Sequence, residues 1–319
     1  MKGIVIAGIA IVGITGTELT LNSLEPQKPP HYTDSIEVLL EKLNTPDDSQ
    51  REKVLLEIAS RGPAAKVALP ALINLLTDKN PFIRRRAVEV MRSMPKELGP
   101  AIPYLIKALS DSFSWVRSGA ASTLQTIGPP TANPAIPALI TALKDEDDSV
   151  QNSAAYALAS IGPAAKSAVP TLIEVLPHLP AAAPALGSIG PAATSALPAL
   201  TTAFRTADLE NKAAFPEIFV KIGPSSIPVL VGILKTEDPA TQRFAAYALL
   251  YFGPSATMAS PALIEILRKT NVLEKGDMEK MSSEITGLHD AACDALWRIA
   301  PKKAEAISES LDCTEPIAD

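Results

Sequence analysis

Aromatic residues are scarce in this chain: they make up 4% of its 319 residues, although hydrophobic residues make up 47%. A core with so few rings has to be built from alanine, leucine, isoleucine and valine. Cysteine is rarer still, since only Cys293 and Cys313 occur, and two are too few for a scaffold held together by disulfides. Either the two cysteines pair in an exported protein and tie the C-terminal tail to the helical region before it, or both remain free thiols.

Groups that carry catalysis are also few and dispersed. The three histidines, His31, His178 and His289, lie far apart in the sequence, and no zinc-protease, serine-hydrolase, phosphate-loop or dithiol motif occurs. The acidic run at residues 145–148 lacks the glycine and the closing glutamate of a calcium loop, which favours a solvated turn. The sequence therefore predicts no catalytic residue, no metal site and no cofactor, and we expect a protein that is not an enzyme.

An excess of positive charge is missing too. The formal net charge is −6, which argues against a general nucleic-acid binder, because such a protein needs a basic face. The charge is uneven, with +2 over residues 31–130 and −8 over residues 131–319. Either the two ends prefer different partners or they simply present different solvated surfaces.

Long apolar stretches are absent after the first residues. Lys2 precedes an apolar run at residues 3–14, small and polar residues follow, and prolines dominate residues 25–30. This pattern predicts a signal peptide or membrane anchor at residues 1–17 and a Pro-rich linker at residues 18–33. We expect an exported protein, periplasmic or membrane-anchored, with a cytoplasmic location as the alternative.

Proline, by contrast, is abundant and recurs at fixed places. The segments IGPAAKSAVP at residues 161–170 and IGPAATSALP at residues 189–198 are nearly identical, and RGPAAKVALP at residues 61–70 matches them. In five units, 25 residues separate the second proline from the next loop landmark, which indicates an array of repeats. The recurrent prolines, each followed two residues later by leucine, are Pro70, Pro103, Pro137, Pro170, Pro198, Pro228 and Pro261.

Each unit predicts two helices, called here the A helix and the B helix. Proline suits the first turn of the A helix, because its missing N–H would lack an intrahelical partner there anyway. A polar turn then leads to an alanine-rich B helix that ends at glycine and proline, as at Gly162 and Pro163. One more unit precedes the first recurrent proline, so we expect about eight helix pairs.

These motifs resemble HEAT repeats of the bacterial type written I-G-P-A-A-K-x-A-V-P-A-L-I. The resemblance covers residues 34–312, leaves residues 313–319 as a tail, and implies an all-α, right-handed α-solenoid. HEAT repeats also carry Asp and Arg at fixed positions that pair between neighbouring units, and the pattern here fades after the fourth unit. The positions that match this ladder are Arg51, Arg84, Arg117, Asp78, Asp111 and Asp145.

The repeats depart from the regular pattern at three places, and each departure has either a functional role or none. The fifth unit is five residues short and its B helix is rich in proline, and Pro216 falls inside the next B helix, where it should produce a kink. These features predict a bend or hinge at residues 177–220, unless they are neutral drift. The last unit has 14 extra residues at about 271–288, either an insertion on a binding face or a solvated loop.

The candidate binding surface lies on the B helices, which line the concave side of HEAT-like solenoids. Phe82 and Trp115 occupy the same position in successive units, so we expect them to be neighbours. They either anchor a partner as exposed aromatics beside arginines or simply pack together between repeats. The predicted binding residues are Phe82, Arg85, Glu89, Arg92, Trp115, Tyr156, Arg243 and Tyr247.

These features predict a non-catalytic scaffold, expected to be monomeric, that binds another protein through its concave face. HEAT-like repeats also occur in phycobilin lyases and in DNA glycosylases, which gives two alternatives. The export signal and the longer repeats argue against a phycobilin-lyase-like or other enzyme-accessory role. Nucleic-acid binding rests only on the three arginines at residues 84–86, and the acidic net charge opposes it.

Overall fold

A computed structural model describes residues 34–276 and 283–316. Over these residues the chain is helical, and no strand occurs among them. The predicted signal peptide or anchor and the linker, residues 1–33, lie outside the described residues. In the part that is described, no helix combines the length and the apolar character needed to cross a bilayer.

Within residues 34–276 and 283–316, the helices follow one another as A and B helices in eight successive pairs. The first five pairs are α1 to α10, the sixth consists of α11 followed by the short helices α12 and α13, and the last two are α14 to α17. The α-helices are α1 (Ile36–Lys42), α2 (Asp48–Ser60), α3 (Leu69–Leu75), α4 (Pro81–Met91), α5 (Ile102–Ala108), α6 (Ser114–Ile127), α7 (Ile136–Ala142), α8 (Asp148–Ile161), α9 (Val169–Val175), α10 (Ala182–Ile189), α11 (Leu197–Thr206), α12 (Leu209–Lys212), α13 (Phe215–Ile222), α14 (Ile227–Thr236), α15 (Pro239–Phe252), α16 (Ser260–Gly276), α17 (Ser283–Ile299) and α18 (Pro301–Glu305).

The recurrent proline stands at the second residue of each A helix from α3 onward, where it costs no backbone hydrogen bond. The leucine two residues later is completely buried in every one of these pairs. Each such leucine contributes about 1.5–3 kcal/mol on burial. Short 3₁₀ helices lead into the A helices, at Gly62–Ala68, Pro95–Glu97, Gly99–Ala101, Asn133–Ala135, Gly162–Ala168, Gly190–Ala196, Pro224–Ser226 and Gly253–Ala259.

The B helices form a continuous row, in which each packs against the B helix of the next pair. Alanine recurs on the buried side of these helices: Ala120 and Ala121 in α6 and Ala154 in α8 are completely buried. Helix α8 ends at Gly162, whose φ of 69° lies in the left-handed region that glycine adopts without strain. Alanine thus fills part of the core along the row, and glycine ends the helix.

The predicted Arg–Asp ladder is present between the first four pairs. Arg84 binds Asp111 through two hydrogen bonds of 2.7 Å, and Arg117 binds Asp145 through two more of 2.7 Å. Arg51 pairs with Asp78 in the same way one unit earlier. Each arginine also reaches its own unit, since the Nη1 of Arg117 donates to the carbonyl of Asp111 at 2.9 Å. The pairing between neighbouring units that the resemblance implied is therefore present for these three arginines.

Two ladder carboxylates, Asp78 and Asp111, stay ionised although they are partly buried. Burial raises the pKa of Asp111, but hydrogen bonds from Arg84 and from the backbone N–H of Phe113 outweigh it, and its pKa lies below the ordinary value. The pKa of Asp78 is lowered by the same balance, with burial opposed by the hydrogen bond from Arg51. Hydrogen bonds to Asp111 raise the pKa of the Arg84 guanidinium. Asp78, Asp111 and Arg84 are therefore charged at neutral pH.

Beyond the pairing of Arg117 with Asp145 the ladder positions bind other groups, in line with the fading of the pattern in the sequence. The side chain of Gln151 donates to the backbone carbonyl of Asp145 at 2.6 Å. Lys212 is buried and donates to the hydroxyl of Thr241 at 2.7 Å. At these two positions a hydrogen bond to a carbonyl or a hydroxyl oxygen thus replaces the Arg–Asp pair.

The fifth and sixth B helices are irregular, as their prolines predicted. Helix α10 has 8 residues where α8 has 14, and Pro184 lies in its first turn, where a backbone N–H is not needed. In the sixth pair the expected kink is a complete break, because Pro216 lies in the first turn of a new helix, α13. The bend or hinge predicted at residues 177–220 remains a prediction.

The expected insertion in the last pair is mostly helix. Helix α16 continues to Gly276 and α17 begins at Ser283, each with 17 residues. The extra residues at 271–276 and 283–288 therefore lengthen the A and B helices, and the reading of the whole segment as a solvated loop is wrong. Residues 277–282, between them, lie outside the described residues.

The C-terminal segment is tied down on α17. Cys293 and Cys313 form a disulfide. Of the two alternatives, a disulfide or two free thiols, the structure therefore has the disulfide. The indole Nε1 of Trp297 donates to the carbonyl of Cys313 at 3.2 Å. Because Cys313 is completely buried, the predicted tail at residues 313–319 begins with an anchored residue.

Candidate functional site

Three aromatic rings form an exposed cluster at the N-terminal ends of α4 and α6. The rings of Phe82 and Trp115 lie 5.6 Å apart, and those of Phe113 and Trp115 lie 6.4 Å apart. Phe82 is 57% exposed and Trp115 is 47% exposed. The expected neighbours are thus in contact and remain open to solvent, so mutual packing and availability to a partner occur together. We call Phe82, Phe113 and Trp115 the aromatic cluster.

Two arginines lie over the aromatic cluster. The Arg85 guanidinium is 5.9 Å from the centroid of the Trp115 ring, and the Arg84 guanidinium is 5.5 Å from that of Phe113. An exposed cation–π contact is worth roughly 0.5–1 kcal/mol, and it keeps both side chains in place. The site therefore presents aromatic surface bordered by arginine side chains, and these residue types are enriched among those that dominate protein–protein binding energy.

The run of arginines at residues 84–86 is neutralised by carboxylates. Glu89 accepts hydrogen bonds from Arg85 at 2.8 Å and from Arg86 at 2.5 Å, and Glu52 accepts one from Arg86 at 2.6 Å. Arg84 is engaged in the ladder. Since all three guanidinium groups already have carboxylate partners, the run is poorly suited to phosphate contacts.

The remaining predicted binding residues lie apart from the aromatic cluster. Arg92 is exposed at the end of α4, and Tyr156 is exposed on α8. Arg243 and Tyr247 belong to α15, in the seventh pair. Arg243 is half-buried and packs against α17 near Gly287. The eight predicted residues thus include one compact group, Phe82, Arg85, Glu89 and Trp115, and four scattered side chains.

Phe113 was missed by reasoning on the sequence. It lies in the turn before α6, two residues before Trp115, and its backbone N–H donates to Asp111 at 2.9 Å. The ladder aspartate therefore fixes the turn that carries this ring. A signal was available, because Phe113 follows a predicted ladder position by two residues.

The acidic run at residues 145–148 has structural partners. Asp145 belongs to the ladder, and Asp147 accepts a hydrogen bond at 2.9 Å from the backbone N–H of Ser149 at the start of α8. Among the described residues, no group of His, Cys, Asp or Glu side chains is arranged to hold a metal ion.

Solved structures with the same type of fold are known. An engineered protein from the Northeast Structural Genomics Consortium is 23% identical, with a TM-score of 0.59 over 86% of this chain and 81% of that one. A chain from work on the interaction between cadherin and beta-catenin is 16% identical, with a TM-score of 0.51 over 88% of this chain and 64% of that one. At these identities the likeness concerns the fold alone.

A chain from the complex of CpcE and CpcF of phycocyanin lyase from Nostoc sp. PCC7120 is 19% identical, with a TM-score of 0.43 over 79% of this chain and 99% of that one. No curated protein matches the sequence.

A family model described as HEAT repeats matches residues 102–179. The resemblance expected from the repeated motifs is therefore confirmed: residues 102–179 are HEAT repeats, within a chain that folds as a solenoid of helix pairs.

Proposed function

We propose that this protein is a non-catalytic scaffold that binds another protein through its row of B helices. The observation that carries the proposal is the aromatic cluster, in which Phe82 and Trp115 are exposed and fixed by contact with each other and with Arg85. Aromatic anchors held in place lose little conformational freedom on binding, so their buried area contributes efficiently to affinity. The contacting part of the partner is expected to place an apolar side chain on these rings.

Replacing both Phe82 and Trp115 with alanine is expected to abolish capture of the partner. Each truncation of a buried aromatic anchor typically weakens an interface by at least about tenfold, so the double variant should release a partner that the wild-type protein retains through washing. Mild affinity purification from the native host, with stoichiometry read by mass spectrometry, provides the measurement.

The matched control is Tyr251→Ala, which removes an aromatic side chain that is 71% exposed and lies outside the aromatic cluster. This variant should retain the partner at the wild-type ratio. Equal retention of one stoichiometric protein by the double variant, the control and the wild type would contradict the proposed site. Circular dichroism melting curves of the three proteins confirm that the comparison is between folded chains.

We propose in addition that the protein is exported, into the periplasm or anchored to a membrane. The pairing of Cys293 with Cys313 supports this, because disulfides form and persist in oxidising compartments. Protein isolated from its host and alkylated without reduction is expected to carry no alkyl group on either cysteine by intact mass. Two alkylated cysteines would argue for the cytoplasm.

A further inference from the structure

The irregular fifth and sixth pairs enclose a cavity of about 360 Å³. It is bordered by Tyr156 of α8, Pro184 of α10, Thr206 of α11 and Phe215 of α13. The regular B helix α8 has 14 residues, whereas α10 has only 8 and α12 ends before α13 begins. The missing turns leave space that a full-length B helix would occupy, so the cavity is a product of the shortened repeat.

The floor of the cavity is apolar and firmly packed. Leu176, Phe215 and Ile218 line it and are buried. The ring of Phe215 lies 5.2 Å from that of Phe204 and 6.2 Å from that of Phe219, so three rings support one another beneath the opening. A floor held by mutual ring contacts does not need to rearrange before a ligand binds, which lowers the cost of binding.

The rim carries polar groups that are free to bind a ligand. Tyr156 and Asn211 line the opening and are exposed. Over the described residues, neither the Tyr156 hydroxyl nor the Asn211 side-chain amide has a hydrogen-bond partner. The third polar side chain, Thr206, already donates to the carbonyl of Thr202 at 3.1 Å. The rim thus offers two donors, one on α8 and one on α12.

The lack of charged side chains in the lining excludes ionic ligands from this cavity. Among the described residues that line it, none is aspartate, glutamate, lysine, arginine or histidine. A charged ligand would lose its hydration against an apolar floor without gaining a counter-charge, and that loss is costly. Small-molecule sites typically measure about 300–1,000 Å³ and combine apolar walls with a few polar groups, as this cavity does.

We propose that the cavity binds a neutral, mainly apolar small molecule with a hydrogen-bond acceptor directed toward Tyr156 and Asn211. The proposal goes beyond the scaffold function, because the site lies apart from the aromatic cluster and needs no protein partner. Its occupant fills the space left by the shortened α10 and contacts α8 and α13 together.

The uncharged dye Prodan, an apolar naphthalene with one ketone acceptor, is a suitable probe. Titrated with the full chain, Prodan is expected to show a saturable, blue-shifted fluorescence with one site and a Kd on the order of 10 µM. Ala214→Leu, an exposed lining alanine enlarged into the opening, should raise the Kd at least about tenfold. Ala207→Leu narrows the cavity from the end of α11 and should raise the Kd for Prodan by the same factor. Because the two substitutions lie at different positions, a folding defect in one variant would not account for the same loss of affinity in both.

The matched control is Ala192→Leu, an exposed alanine that does not line the cavity and should leave the Kd unchanged. The anionic dye 8-anilinonaphthalene-1-sulfonate should not displace Prodan, because the site lacks a counter-charge. Fluorescence that does not saturate, or equal Kd values for Ala214→Leu, Ala192→Leu and the wild type, would overturn the proposal. Effective displacement by the anionic dye would overturn the claim that the occupant is neutral. Partner capture by the aromatic cluster is unaffected by either result.

Discussion

Arg117→Met is expected to lower the free energy of unfolding by about 3–5 kcal/mol, because it leaves Asp145 charged and partly buried without its counter-ion. The side chains of this pair are only 8% and 12% exposed, and two hydrogen bonds of 2.7 Å join them. The substitution also removes the donor to the carbonyl of Asp111, so one ladder step loses contacts to two units. Urea unfolding followed by circular dichroism, with m-values compared, measures the effect.

Lys144→Met is the matched control for the ladder step. Lys144 pairs with Glu174 at 2.7 Å between the fourth and fifth pairs, but the side chains are 52% and 63% exposed, so the expected change is about 0–1 kcal/mol. The double variant Arg117→Met, Asp145→Asn should be more stable than Arg117→Met alone, since it removes the stranded charge and keeps an acceptor for the N–H of Asp147. If Arg117→Met were no more destabilising than Lys144→Met, the ladder would not hold the units together.

Loss of the Cys293–Cys313 disulfide is expected to release the C-terminal segment from α17. The bridge spans a sequence separation of 20, and closing a loop of this size contributes about 3 kcal/mol. In Cys293→Ser, Cys313→Ser, amide hydrogen exchange over residues 301–316 should therefore accelerate by about two orders of magnitude. Two backbone N–H groups report on the release directly: those of Leu311 and Cys313, which donate to Ile307 and Ser308 at 3.0 Å.

Amides of α8 serve as the internal reference, because this helix lies in the fourth pair and should exchange as in the wild type. Reduction of the wild-type protein with dithiothreitol should reproduce the change over residues 301–316. Acceleration of less than about threefold would show that Trp297 and the surrounding apolar contacts hold the segment without the bridge.

The helix pairs could be predicted because their signals are local and periodic. Proline at the start of each A helix and leucine two residues later recur regardless of what lies elsewhere in the chain, and the leucines from Leu72 to Leu263 are all buried as their register requires. The positions of the ladder residues recur in the same register, and the resemblance to HEAT repeats implied that Arg84 pairs with Asp111 and Arg117 with Asp145. Each repeat packs on the next one, so residues that are one repeat apart in the sequence lie side by side in the structure.

The candidate site could be predicted only in part. Equal positions in successive repeats placed Phe82 beside Trp115, but the contribution of Phe113 depends on a turn shaped by the ladder. Arg243 was predicted as a binding residue because its position on α15 resembles a surface position. In the structure it is half-buried, because the lengthened α17 packs against it.

The sequence by itself determined the fold class, the number of helix pairs, the ladder and the sites of irregularity, because each depends on contacts between a unit and its immediate neighbour. Tertiary structure alone decided the pairing of the cysteines, the helical character of residues 271–276 and 283–288, and the cavity above Phe215. Each of these depends on how irregular units fit together in space: a shortened α10 can be read from the chain, but the volume it vacates is defined by α8, α11 and α13 around it.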